Sequence, residues 1–551
     1  AQFYRVTTDN AFPFRIYVAQ QDNSTIRVQH RSEGRYITED NWEATAGGES
    51  AHIAVDPNNN DIVYGGSYGG FLTRVNHKTG SVRGINVWPD NPMGYGAEGM
   101  KYRFQWNFPI FFSKHNTKKL FTLSNHVHVS ENEGQSWKII SPDLTRNDPK
   151  KLKSSGGPIT QDNTGVEYYS TLFAASESRL ADKEIWVGSD DGLVHLTRDG
   201  GDSWNNITPP QAPKFLMINS IETSFFKSGE AYIAGTSYKM GDFKPYLFKT
   251  NDYGKTWKKI VNGIKSEHFT RVLRSDPARK GLLYAGTESG LYVSYDDGES
   301  WSSFQKNLPI VPITDITIKD NSLIVATQGR GIWILDDLTV LHQINDSTLN
   351  NQINLFAPKD SYRMRGSGGK SSKTAGTNIE NGVIVYYNIK NYDSSKDSIS
   401  LSFSTSEGNL IKTFSNHDKV NILKVNKGSN KFVWDTKHDG AEILDGMIFW
   451  SASFSGAKSP PGKYLVTLIK NGVKKSQPFK ILIDPRSEVS VEEIQKQLNF
   501  VNEVNKVVDQ AHKAIKQIRE VNIKLKEFET NFKSSSSLTD LISISKKIRN
   551  K

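Results

Sequence analysis

Along the first 340 positions apolar and polar residues alternate in short runs, and the runs end in turns rich in Gly, Asp, Asn and Ser. Such runs, with period two and turn residues at both ends, predict β-strands. Residues 272–301 show the unit most clearly: strand, tight turn, strand, hairpin, strand, then a turn. Seven units can be laid out, around residues 15–23, 52–67, 111–140, 185–196, 231–236, 272–301 and 313–335. After Leu341 the pattern breaks, and 366–372 reads G-S-G-G-K-S-S, a flexible linker. Short alternating strands return between about 382 and 487 and predict an immunoglobulin-like sandwich. Ser490-Val491-Glu492-Glu493 is a capping box. It opens a helix with apolar residues at Ile494, Leu498, Val501, Val504, Val508, Ala511, Ile515, Ile518 and Leu525. Their spacing predicts one narrow seam that pairs with another helix, with residues 538–548 folding back as the partner in preference to an oligomer contact.

The closing turn of the unit, Ser294-x-Asp296-x-Gly298-x-Ser300-Trp301, recurs at Thr250-x-Asp252-x-Gly254-x-Thr256-Trp257 and Thr197-x-Asp199-x-Gly201-x-Ser203-Trp204. A weaker copy is Ser130-x-Asn132-x-Gly134-x-Ser136-Trp137. In each, the Asp accepts backbone N–H bonds, the Gly takes a positive φ, and the hydroxyl before the Trp closes a further local bond. The Trp then enters the next strand and inserts between sheets. Burying it removes roughly 150–250 Å² from water, worth about 4–6 kcal/mol gross at about 25 cal/mol per Å². Spacings of 67, 53 and 44 between these tryptophans bracket a four-stranded blade plus loop.

The turn resembles the Asp-box, or BNR repeat, of sialidases, sortilin-type propellers and the two-propeller xyloglucan-cleaving glycosidases. That resemblance implies a structural fastener away from any active site for Asp199, Trp204, Asp252, Trp257, Asp296 and Trp301. The expected fold is therefore mainly β. A seven-bladed Asp-box β-propeller (six or eight blades being the alternatives) spans 1–340, a linker 341–381, an immunoglobulin-like β-sandwich 382–487, and a C-terminal helical hairpin 488–551.

In a blade with strands A to D running outward, the B–C and D–A loops share one face and the A–B and C–D loops the other. The first face then collects Asp22, Tyr68, Asp190, Asp191, Glu288 and Arg330, with the long loops 84–108 and 141–170. Those loops bring Trp88, Tyr95, Tyr102, Trp106, Glu167 and Tyr168. Long loops on a rigid scaffold are where function concentrates, and aromatics beside carboxylates suit a carbohydrate or peptide groove. Tyr68, Trp88, Tyr102, Trp106, Tyr168 and Arg330 are the ligand-binding candidates. Asp22, Glu167, Asp190, Asp191 and Glu288 are the candidates for a glycosidase acid and base, which need two carboxyls roughly 5–10 Å apart. A loop carboxylate is ordinarily just solvated, and Asp190-Asp191-Gly192 is good hairpin-turn chemistry.

Composition narrows the field. A hydrophobic content of 36% and a mean hydropathy of −0.54 describe a soluble protein, and no 18-residue apolar run suggests a span. Zero Cys excludes disulfides, thiolate metal sites and thiol catalysis. A net charge of +10 over 551 residues, without a dense basic tract outside the Lys-rich C-terminal helix, argues against nucleic acid. No cofactor is implied. No metal is expected either, for His126 and His128 alternate along a strand with no third ligand beside them. A sialidase wants an arginine cluster, and only Arg103 and Arg330 stand on the expected loops.

As a whole, the chain is similar to the C-terminal portion of large secreted bacterial proteins of the sortilin-like, or BNR-repeat glycosyl hydrolase-like, type. Segments 14–23, 102–107, 141–149, 187–194 and 331–337 carry that similarity. It implies an extracytoplasmic location (secreted, periplasmic or cell-surface) and a second propeller domain or subunit as a partner. In the two-propeller glycosidases, acid and base come from opposite propellers, so this chain would hold half of such a site. The leading expectation is a non-catalytic scaffold that binds a protein or polysaccharide on the B–C/D–A face. The alternative is a glycoside hydrolase, inverting or retaining, acting on a polysaccharide through paired carboxylates.

Overall fold

A computed structural model describes residues 2–90, 96–162, 168–364, 374–448 and 455–550. Tyr95, Glu167 and the glycine–serine stretch 366–372 lie outside the described residues. The chain divides into two compact units, Ala1–His342 with Ser367–Ile379 and Gln343–Gly366 with Glu380–Lys551.

The first unit is mainly β. Six four-stranded antiparallel sheets and one of three strands follow one another along the chain. Their first strands are Phe3–Thr8, Ile53–Val55, Ile110–Phe112, Leu172–Glu177, Met217–Thr223, Thr270–Ser275 and Ile313–Lys319. Consecutive sheets share apolar clusters; Tyr17, Ile53 and Val63 join the first to the second, and Leu123, Leu172 and Val187 the third to the fourth. The last sheet meets the first through Phe3, Val6, Val18, Ile324 and Ala326, where the Val6 N–H donates to Asp315 Oδ2 at 3.1 Å. This architecture is consistent with a β-propeller. Because neighbours cover both faces of a sheet, central strands such as Ala231–Ser237 are buried along their whole length, and alternation fades there.

The repeated turns bind sheet to sheet in one geometry. At Asp252, Oδ1 accepts from Thr256 N (2.9 Å) and from Thr250 Oγ1 (2.9 Å), and Oδ2 from Thr256 Oγ1 (2.6 Å). The Thr256 bonds hold this carboxyl below the usual carboxylate range. Trp257 Nε1 then donates to the carbonyl of Ile207, in the preceding sheet, at 2.8 Å. Trp137, Trp204 and Trp301 donate likewise to Ile85, Ile140 and Ile260. Gly254 has φ +77, and a Cβ there would stand 2.7 Å from the Ile207 side chain. Positive φ and a neighbour's isoleucine together demand glycine at that position. Trp257 and Trp301 are buried, whereas Trp137 and Trp204 are half-buried.

In the second unit, sheets of three and five strands enclose one core in which Trp434 stacks on Phe403 with centroids 4.4 Å apart. Residues 341–381 carry more structure than the linker expectation allowed. Ile353–Leu355 and Ser361–Arg363 are strands of the second unit, and Gly376–Thr377 pairs with Tyr36–Ile37 in the first. Two- and three-residue strands are made by the edge they pair with, and alternation cannot announce them.

The C-terminal helix runs Val491–Asn531, 41 residues and about 60 Å. Its capping box forms, with the Glu493 N–H on Ser490 Oγ at 3.2 Å. The expected single seam splits into two faces. Ile494, Leu498 and His512 are buried, while Val504, Ile515 and Ile518 are exposed. Asp509 accepts from the Glu442 N–H at 2.6 Å, and His512 and Lys516 also bond to Glu442. The short helix Thr539–Arg549 meets the far end, with Ser545 Oγ on Glu529 at 2.9 Å.

Replacing Trp257 by Ala is expected to cost about 3–5 kcal/mol, read from the urea midpoint, and Trp137→Ala distinctly less because that indole is half-buried. Equal effects would mean that burial between sheets is not what the indole contributes.

Candidate functional site

Two cavities lie inside the ring of sheets, and both are lined by Arg5, Phe173 and Asn219. The smaller, about 500 Å³, opens among the turns between first and second strands, at Asp9, Asp56, Lys114 and Arg179. The repeated Trp turns lie on that same side. Gly200, Tyr253 and Asp297 donate N–H bonds to Lys183, Gly229 and Gly281, in the first-to-second-strand turns of their own sheets. The larger cavity, about 920 Å³, is walled from the opposite side by second-to-third-strand turns and by the long connections between sheets.

Six of its positions come from such turns: Gln21, Asp190, Tyr238, Lys239, Met240 and Gln328. The inter-sheet connections supply Gln105, Trp106, Lys151, Tyr168, Tyr169 and Phe215. Tyr68 stacks on Trp106, with centroids 5.3 Å apart and planes at 15°. Tyr238 stacks on Phe269 at 5.2 Å, and Lys151 Nζ stands 4.9 Å over Phe215. The wall thus joins flat aromatic faces to side-chain amides and to the cations Arg5, Lys151, Lys239 and Arg271. Arg271 is paired with Glu288 at 2.5 Å.

Asp190 is the only carboxylate among the described residues lining this cavity. It is buried, and its oxygens accept from Thr171 N (2.9 Å), Thr171 Oγ1 (2.7 Å) and Gln105 Nε2 (2.8 Å). Burial, with the Asp191 charge adding to it, raises its pKa to about 7 against the Thr171 hydrogen bonds. At the cavity's floor Arg5 is buried, donates from one terminal nitrogen to the Asn219 carbonyl at 3.1 Å, and lies 5.1 Å over Phe173. Burial lowers the Arg5 pKa to about 10, opposed by Asp315. Arg5 Nε and Trp106 Nε1 are buried without a hydrogen-bond partner. Unmet buried donors are uncommon in a folded protein.

The remaining sequence candidates disperse. Asp191 is fully buried and holds loops together, accepting from Ser189 Oγ (2.6 Å), Ser170 Oγ (2.9 Å) and Arg146 N (2.8 Å). Asp22 is an exposed turn residue with φ 56 whose N–H bonds to Glu49 at 2.6 Å. Glu288 is engaged by Arg271. Trp88 and Tyr102 form their own group away from the cavity wall, edge to face at 6.3 Å, with Lys101 Nζ 3.2 Å over the indole. Tyr168 and Trp106 line the wall; Arg330 is exposed and bonds to the Gly329 carbonyl. Arg103, also expected on these loops, is buried as a clip between Ser170 O and Asp143. Arg5, Gln105, Lys151, Phe215 and Arg271 are not among the sequence candidates. For Arg5 the only sequence signal is a cation inside the first strand, F-Y-R-V-T-T.

Among the described residues no group of His, Asp or Glu could hold a metal ion, and no helix is long and apolar enough to cross a membrane.

No family model matches the chain. An oligoxyloglucan-reducing end-specific xyloglucanase from Emericella nidulans is 29% identical over 120 residues, a stretch covering 21% of this chain and only 14% of that enzyme's length. Among solved structures, YCF48 from Cyanidioschyzon merolae is 12% identical with a TM-score of 0.41, covering 60% of this chain and 94% of its own. The GH74 enzyme of Niastella koreensis is 12% identical with a TM-score of 0.40, covering 86% of this chain and 72% of its own. The fold described above rests on the sheets themselves.

The raised Asp190 pKa makes stability depend on pH. Folded, the carboxyl keeps its proton to about pH 7; unfolded, it ionises near pH 4. Its contribution is complete below about pH 4 and is lost as pH rises through about 7, a change of a few kcal/mol at most. Urea unfolding of Asp190→Asn should give a flatter stability profile across that window than the parent chain. A parallel pair of profiles would show that Asp190 titrates as an ordinary carboxylate.

Proposed function

We propose that this chain is an exported, non-catalytic seven-bladed propeller, fastened by Asp-box turns and followed by an immunoglobulin-like sandwich, that binds a partner in the larger cavity. The observation that carries this reading is the pair of unmet buried donors, Arg5 Nε and Trp106 Nε1, on a wall whose one carboxylate already accepts three hydrogen bonds. Such a wall suits a ligand rich in acceptors, a peptide or a glycan, lying against Trp106 and Tyr238 with its oxygens toward the cations. The extracytoplasmic location follows the family resemblance of the repeated turn and is part of the same proposal.

One observation favours the second reading, a glycoside hydrolase. A carboxyl that titrates near neutrality is what a general acid requires, and Asp190 has that property. The partner carboxylate, roughly 5–10 Å away, would have to come from elsewhere, as in the two-propeller scheme.

The test is a glycan and peptide array probed with the purified chain, followed by titration of the best ligand. Trp106→Ala should weaken binding about tenfold or more, by about 1.4 kcal/mol or above, without moving the urea midpoint by a comparable amount. Release of reducing ends from xyloglucan or another polysaccharide, abolished in Asp190→Asn, would replace this reading with the hydrolase.

A further inference from the structure

The helix Val491–Asn531 carries apolar residues on two faces, and its own unit covers one of them. The covered face holds Ile494, Leu498, Asp509, His512 and Lys516, the last three bonded to Glu442. About 150° round the helix, at about 100° per residue, lies a second row: Phe500, Val504, Val507, Ala511, Ala514, Ile518, Val521 and Leu525. Its steps alternate four and three over its whole length, the spacing of a coiled-coil seam. Phe500 is 66% exposed, Val507 64% and Ile518 60%; only Leu525, near the contact with the short helix, is half-buried.

The row reads alike in both directions. Two large-to-medium flanks surround the small pair Ala511 and Ala514, and this centre is also close to the middle of the helix. We propose that the face pairs with the same face of a second copy, antiparallel, about a two-fold axis between Ala511 and Ala514. In that register Phe500 meets Leu525, Val504 meets Val521, Val507 meets Ile518, and Ala511 meets Ala514, each pair occurring twice, as an isologous interface requires. The alanines let the backbones approach closely at the centre, where the crossing needs least room.

Charge fixes the direction. Glu503 and Lys524 flank the seam on one side, both are exposed, and neither has an ion-pair partner among the described residues. The antiparallel register sets Glu503 of each copy beside Lys524 of the other, with Gln510 beside Gln517 between them. A parallel pair would put Glu503 against Val508 and bring Lys524 to Glu529, which already bonds Ser545 and Arg549. The occupant that matches this face in size order and in charge is therefore the face itself.

Sedimentation of the full chain across the micromolar range tests the proposal, and a monomer–dimer equilibrium is expected. Val507→Asp should abolish the dimer while leaving the urea unfolding curve of the chain in place, since that side chain is exposed. Glu503→Lys and Lys524→Glu should each weaken association several-fold, and the double exchange should restore it. The chain has no Cys, so direction can be read by cross-linking. A mixture of Val507→Cys and Ile518→Cys copies should form the mixed disulfide in preference to either self-disulfide. A chain that stays monomeric throughout, or Val507→Cys copies that link chiefly to themselves, would overturn the antiparallel dimer.

Discussion

One contact organises the first unit: an indole N–H on the isoleucine carbonyl of the preceding sheet, with a glycine of the same turn laid against that isoleucine. It occurs at Trp137–Ile85, Trp204–Ile140, Trp257–Ile207 and Trp301–Ile260, at 2.8–2.9 Å each time. The hydrogen bond sets the depth to which the ring is inserted, and the missing Cβ lets the turn close over the neighbour. Each such contact fixes one sheet relative to the next, so four of them orient successive sheets before the first and last meet at Val6 and Asp315. Rigidity at this rim frees the opposite rim to vary. There the connections are long, and their residues need only satisfy one another.

That opposite rim is asymmetric in charge. Lys151, Lys239, Arg271 and the deep Arg5 stand against Asp190, whereas the other cavity mixes Asp9, Asp56, Glu177 and Glu222 with Lys114, Arg179 and Arg274. The lining of the larger cavity is thus richer in cations than in carboxylates, with Arg271 already paired to Glu288. Asp190 behaves differently, since burial holds it near neutrality and its hydrogen bonds tie it to Thr171 and Gln105.

The long helix repeats the lesson in another form. A single run of heptad-like spacing can serve two faces when apolar residues are dense, and positions 494–525 hold both. Contacts with Glu442 select Ile494, Leu498 and His512 for the interior, leaving the row from Phe500 to Leu525 outward.

Local chemistry settled the strands, the repeated turn and the helix with its capping box, because period, turn residues and caps act within a few residues of sequence. The insertion of Trp257 and Trp301 was legible for the same reason, their motif being local and repeated. Asp190, Trp106 and Tyr168 were legible as loop residues of one face. Which of the candidates share a wall was not, since Asp191, Glu288 and Arg103 look the same in sequence as residues that line a cavity, and only their partners from distant loops withdraw them. Arg5 was invisible because a strand's inward direction is defined only once seven sheets surround it. The short strands at 353–355, 361–363 and 376–377, and the choice between two helix faces, were likewise decided by what each packs against. Long-range pairing has no counterpart in nearest-neighbour pattern, and there the tertiary structure alone decides.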